Sequence, residues 1–301
     1  MSFRLRLLNL AARWITRPLL QRTVDVDRAR RDFERGARLQ RLPPYLLHLV
    51  DRGPLPLHWI SVRRQRLDHV ILFLHGGAYL TGSPGTHLGL MARLAHLTGL
   101  QVACPDYRMA PEHPAPAAFE DAVAAHARLR ALGYASDQII LGGDSAGGGL
   151  ALALLADLCA KGQTPAGLFA FSPWTDLAMT GNSLQANIAH DPLLPVGRMP
   201  DVVAMVLAGF DARDPRISPL YARFDAPPPV FIQVGQGEIL LDDSRRMADV
   251  LRQAGGHVTL QEWPDCPHVW QMMDNRLPEA RRALNQTADF IGSLSTPQAG
   301  S

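Results

Sequence analysis

Three patterns in this 301-residue chain carry residues that could perform acyl transfer. The first is Gly143-Asp144-Ser145-Ala146-Gly147, a G-x-S-x-G pentapeptide. A serine hydroxyl is lifted clear of its neighbours only by a sharp turn. Glycine two residues to either side removes the Cβ atoms that would clash there. The second is His75-Gly76-Gly77-Ala78-Tyr79. Paired glycines let backbone N–H groups approach a ligand oxygen, and each such donor stabilises a tetrahedral oxyanion by about 2.7–4 kcal/mol. The pattern predicts the Gly76, Gly77 and Ala146 amides as an oxyanion hole. His75 precedes the nucleophile in the chain and is read as a structural hydrogen-bonding residue.

The third pattern is the base and acid that a serine nucleophile requires, in the chain order Ser, acid, His. His190, His257 and His268 follow Ser145. His257 precedes a strand-like run and His190 lies in an irregular stretch. His268 follows the run VTLQE (258–262), at what would be its carboxyl end, and is the predicted base. The acid should follow the preceding strand, VFIQV (230–234). Glu238 stands there, with Asp242 as the alternative. Asp242 and Asp243 also suit the start of a helix, as capping residues.

These residues need a scaffold that brings strand ends together. The short, wholly apolar run 70–74 (VILFL) reads as a strand buried on both faces, 230–234 as another buried strand, and 100–104, 138–141, 168–172 and 258–262 as further strands. Helix-like segments alternate with them at 87–97, 117–132, 149–159, 244–254 and 277–294. Strand then helix, repeated, predicts an α/β fold with a mainly parallel sheet. The rhythm breaks twice. Residues 1–50 read as helical, and 179–218 lack a buried strand but hold a helix near 199–208. The final STPQAGS (295–301) reads as a frayed tail.

Composition excludes several classes. Lys+Arg number 30 against 28 Asp+Glu, too balanced for nucleic acid to be the main partner. Cys104, Cys159 and Cys266 form neither a disulfide framework nor a zinc spacing, so a reducing, cytoplasmic setting and no metal are expected. No apolar run is long enough to span a membrane. The opening MSFRLRLLNLAARWITRPLLQR is basic and apolar, but its arginines interrupt any secretory signal. It reads as an amphipathic helix with Leu7, Leu10, Ala11 and Trp14 on one face, perturbed or ended by Pro18. That face is expected to pack on the protein itself; the competing reading is a membrane-surface helix.

HGGAY, DYRMAPEHPAPAAFEDA (106–122), GDSAGGG, SPWTDL (172–177) and the late HVW occur in an order and spacing that resembles the bacterial hormone-sensitive-lipase family of esterases. The likeness covers about residues 70–275. It implies an α/β-hydrolase core (51–178 and 219–301) under a helical cap (1–50 and 179–218). It also implies hydrolysis of small carboxylic esters of short to medium acyl chain without a cofactor. The family's nucleophile falls on Ser145, its base on His268, its oxyanion donors on Gly76, Gly77 and Ala146, and its acid on Glu238. The acid position usually reads Asp-Pro-Leu, whereas this chain has Glu238-Ile239-Leu240. A homodimer through the last strand is a further implication. Activity is expected to fall as His268 protonates, about pH 6 to 7 for an ordinary imidazole. Amide or carbamate hydrolysis on the same triad is an alternative. A non-catalytic small-molecule receptor is another, opposed by the presence of both Ser145 and His268.

Overall fold

The computed structural model describes residues 2–38 and 40–294; the tail expected at 295–301 lies outside them. The chain opens with α1 (Phe3–Ala11), a π-helical turn (Ala12–Thr16), α2 (Arg17–Arg22) and α3 (Val26–Ala37). Then come β1 (Leu46–Asp51), β2 (Leu57–Val62), β3 (Arg66–Leu74), α4 (Leu88–Thr98), β4 (Leu100–Pro105) and α5 (Ala117–Ala131). The second half runs β5 (Ile139–Asp144), α6 (Ser145–Ala160), β6 (Gly167–Phe171), α7 (Ser183–Ala186) and α8 (Met199–Leu207). It closes with β7 (Val230–Gly235), α9 (Leu241–Gln253), β8 (Val258–Trp263) and α10 (Pro278–Leu294).

The eight strands form one sheet in the order β1-β2-β4-β3-β5-β6-β7-β8. Only β2 runs against its neighbours; from β4 to β8 every pairing is parallel. The apolar runs explain this arrangement. In β3, Val70, Leu72 and Leu74 enter one core cluster while Ile71 and Phe73 enter another. A strand with both faces apolar must be covered on both sides, which crossover helices do. Register then aligns the strand ends. Leu74 pairs with Gly143, Asp144 with Phe171, Phe171 with Gln233, and Gly235 with Trp263. The loops after β3, β5, β7 and β8 therefore emerge at one edge of the sheet.

Two expectations need correction. Residues 1–50 are not all helical, because β1 begins at Leu46 and, with β2, extends the sheet. These strands escaped notice because they lack a continuous apolar run; β1 is an edge strand whose Leu47 and Leu49 are exposed. The N-terminal helix packs with a different face from the one predicted. Leu5 and Ala12 are buried, while Leu7, Leu10 and Trp14 are exposed. Polar anchors choose the buried face. Ser2 bonds Glu279, Asn9 donates to the Asp265 carbonyl, and Arg13 and Arg17 donate to carbonyls at Ile188, Ala189, His190 and Asp191. Leu5 joins Trp263, Cys266 and Trp270 in a satellite core. Pro18 perturbs the helix without ending it. The π turn just before it widens the ladder where proline has no N–H to offer, and helix continues to Arg22.

Candidate active site

The turn from β5 into α6 carries Ser145 at φ +54°. A non-glycine residue there is strained, and the surroundings show what holds it. A Cβ on Gly143 would lie 2.4 Å from the Gly147 carbonyl oxygen, and one on Gly147 would lie 2.1 Å from the Leu74 oxygen. Both obstacles are backbone, so neither can withdraw. Ser145 is the first residue of α6, which therefore starts earlier than the predicted 149.

The three residues nominated for the triad come together although they are far apart in sequence. Ser145 Oγ lies 2.9 Å from His268 Nε2, and His268 Nδ1 lies 2.7 Å from Glu238 Oε2. Glu238 is fully buried and His268 nearly so. The other carboxylate oxygen, Oε1, accepts from Ser172 Oγ at 2.7 Å and from the Gly235 N–H at 2.6 Å. Both carboxylate oxygens are thus engaged, which fixes the direction in which Oε2 faces the imidazole. Burial by itself would lower the His268 pKa. The charge and hydrogen bond of Glu238, with Asp191 and Asp144 further off, outweigh it and raise the pKa above the usual 6.5. That places it higher than the ordinary imidazole assumed from sequence.

Asp242 and Asp243 are occupied elsewhere. Asp242 Oδ2 accepts from the Ser183 N–H at 2.9 Å. Asp243 Oδ2 accepts from the Thr175 and Asp176 N–H groups at 2.7 and 3.0 Å. They sit in the first turn of α9 without capping it; they pin the segment after β6 to that helix. Burial pushes Asp243 up to about 7.

Of the oxyanion donors, Gly77 and Ala146 stay eligible and Gly76 does not. The Gly76 N–H donates to buried Asp144 Oδ1 at 3.0 Å, and a Cβ on Gly76 would strike the same carboxylate. Asp144 is the x residue of the elbow, so this bond clasps the two glycine motifs together. His87 Nε2 lies 3.3 Å from that carboxylate. Burial would raise Asp144, but His87 and the Gly76 N–H hold it below the usual carboxylate value. Gly77 follows at φ +123°. Ala146 is in the first turn of α6, where N–H groups have no partner within the helix. His75 behaves as a structural residue: it stacks on Tyr107 at 4.2 Å, and its Nδ1 lies 3.0 Å from the Gly76 carbonyl. Burial drives its pKa down to about 3.

Two contributors were missed. Ser172 was legible only as part of SPW, since its bond to Glu238 spans 66 residues. Asp191 is fully buried in the 179–218 insertion. Its Oδ2 accepts from the Ile239 N–H at 3.0 Å, next to Glu238. Burial and then the nearby Glu238 charge raise its pKa. No group of three or more His, Cys, Asp or Glu that could hold a metal occurs among the described residues.

A strained serine in hydrogen-bond line with a histidine and a carboxylate, above a mainly parallel sheet, is the geometry expected of an α/β-hydrolase site. Residues 71–272 match the family described as alpha/beta hydrolase fold. The chain is 40% identical over 244 residues to an acetyl-hydrolase of Streptomyces hygroscopicus, covering 81% of each. It is 39% identical over 247 residues to an esterase of Acinetobacter venetianus, covering 79% of this chain and 82% of that protein. The crystal structure of an esterase from the bacterial hormone-sensitive lipase family superposes with a TM-score of 0.92 at 36% identity, over 98% of this chain and 99% of that one. The chain belongs to the α/β-hydrolase family, among its bacterial hormone-sensitive-lipase-type esterases.

Proposed function

We propose that this chain is a carboxylesterase acting on small esters of short to medium acyl chain, with Ser145, His268 and Glu238 as its catalytic triad. The observation that carries the reading is the unbroken line Ser145 Oγ–His268–Glu238 at 2.9 and 2.7 Å, set on a strained elbow. His268 takes the Ser145 proton as Oγ attacks the ester carbonyl. The Gly77 and Ala146 amides receive the oxyanion. The imidazolium, stabilised by Glu238, returns the proton to the departing alcohol and leaves an acyl-serine. A water, deprotonated by His268, then releases the acid and restores the serine. No cofactor is needed at any step.

The helices of 1–50 and the 179–218 insertion are proposed as the cap. Arg13 and Arg17 bond to the carbonyls of 188–191, and Arg198 to that of Thr23, so the two segments meet. Met205 and Phe210 of the insertion are half-buried against the core, which suits an acyl or alcohol group of little charge. The preference for short chains draws support from the similarity to an acetyl-hydrolase.

The test is hydrolysis of p-nitrophenyl esters from acetyl to palmitoyl, with matching anilides alongside. Ser145→Ala should lose about 10⁴-fold or more and Glu238→Gln about 10³–10⁴-fold. Asp242→Asn should stay near the parent. A folded parent no faster than Ser145→Ala on every ester would overturn the reading, and anilide cleavage without ester cleavage would redirect it to amides.

A further inference from the structure

The helical run from Phe3 to Arg22 is anchored on one side and bare on the other. Phe3, Leu7, Leu10 and Trp14 recur at helical spacing and are 73%, 51%, 54% and 74% exposed. Ile15, Leu19 and Leu20 extend the bare surface. Of the fifteen large hydrophobic side chains exposed among the described residues, eight fall between Phe3 and Val24. This is one patch, not the scatter of single apolar residues that any surface shows.

Charge says what covers it. Residues 1–24 hold five arginines (Arg4, Arg6, Arg13, Arg17 and Arg22) and no acidic residue. Arg4, Arg13 and Arg17 donate to neutral main-chain carbonyls, which leaves their positive charge in place. A groove of about 640 Å³ opens beside the stripe, lined by Arg4, Arg41 and Arg276 among Leu7, Leu8 and Met273. Guanidinium groups bordering an apolar trough match a phosphate joined to acyl chains. Aromatic and leucine side chains on one face, with arginines around them, are the pattern of a helix lying in a membrane interface. We propose that this helix docks the protein on an anionic lipid bilayer, with the Phe3–Leu7–Leu10–Trp14 stripe in the acyl boundary and the exposed Arg4, Arg6 and Arg22 at the phosphates.

The docked helix touches the segments that carry the candidate triad. Asn9 holds the Asp265 carbonyl in the loop of His268, and Arg17 holds the Asp191 carbonyl, whose side chain pins Ile239 beside Glu238. Docking therefore sets the candidate site at a constant distance from the lipid surface. The proposal does not depend on the site being an esterase.

The full chain is floated with vesicles of phosphatidylcholine, with and without phosphatidylglycerol. Quenching of Trp14 by brominated lipid is recorded in parallel. Trp174, Trp263 and Trp270 are buried and Trp59 is half-buried in β2 against the core, so the quenching lost in Trp14→Ser is the part that reports on Trp14. The expected result is flotation with the anionic vesicles only, weakened by salt and accompanied by quenching. Leu7→Ser/Leu10→Ser/Trp14→Ser should abolish flotation, and Arg6→Glu/Arg22→Glu should weaken it by about tenfold or more. Both variants alter exposed side chains and should keep the parent's thermal midpoint. No flotation of the parent, equal flotation on neutral vesicles, or undiminished binding by the triple variant would each overturn the proposal. So would a dimer in the parent that the triple variant dissociates, without vesicle binding, since the face would then join two copies of the chain.

Discussion

Glu238 has both carboxylate oxygens engaged, and that governs how its neighbours respond to mutation. Ser172 supplies one of the two bonds to Oε1. A hydrogen bond to a charged group contributes about 1.5–3 kcal/mol. Ser172→Ala should therefore lower kcat/KM about ten- to hundredfold through kcat, measured on a short p-nitrophenyl ester. The pH profile follows from His268. Only neutral imidazole can accept the serine proton, and its pKa lies above 6.5 because Glu238 and Asp191 favour the charged form. The acid limb of kcat/KM should accordingly fall above pH 6.5. Asp191→Asn removes one negative charge and keeps one oxygen, so either the Ile239 N–H or the Leu193 and Leu194 N–H groups lose their acceptor. It should move the limb to lower pH, whereas loss of support alone would lower the plateau and leave the limb in place.

Elements act through close approaches of backbone. Gly147 sits where a Cβ would meet the Leu74 oxygen at 2.1 Å, so the start of α6 lies tight against the end of β3. Gly147→Ala must spread the two, at about 1–3 kcal/mol or more, and move Ser145 out of line with His268. Urea unfolding and activity should fall together. Gly36 in α3 has nothing within 4 Å of an added Cβ, and Gly36→Ala should stabilise by about 0.5–1 kcal/mol. Asp243 ties α9 to the segment after β6. Its pKa is raised to about 7 in the fold, so between about pH 4 and 7 the folded state binds a proton that the unfolded chain has released. Its contribution to stability is present below that window and lost as pH rises through it. The thermal midpoint of Asp243→Asn, relative to the parent, should climb from pH 4 to 7 and level off above.

On the scale of the whole molecule, one sheet edge gathers loops that are distant in sequence. Glu238 and His268 are 30 residues apart, and Ser145 lies 123 residues from His268. Their convergence follows from parallel register, which ends β3, β5, β7 and β8 side by side. The N-terminal helices and the 179–218 insertion lie beside these loops and bond to them. Among the described residues no helix is long and apolar enough to cross a membrane.

What the sequence determined by itself was whatever local sterics and periodicity dictate. The elbow was legible because a turn that tight leaves no room for a Cβ two residues to either side of Ser145, at Gly143 and Gly147. The inner strands were legible because burial on both faces demands mostly apolar runs, as in VILFL of β3. Placing His268 after a late strand needed only chain order. Tertiary structure decided whatever depends on which partner a group finds. Glu238 faces His268 because the Ser172 hydroxyl and Gly235 N–H hold its other oxygen, while Asp242 turns to Ser183. Gly76 is lost as a free donor because Asp144, 68 residues away, takes its N–H. The N-terminal helix shows its apolar stripe to solvent because Ser2, Asn9, Arg13 and Arg17 bind distant groups with the opposite face. A stripe of leucines records an apolar face, but a burial choice between two faces is made by long-range hydrogen bonds that no window of sequence contains.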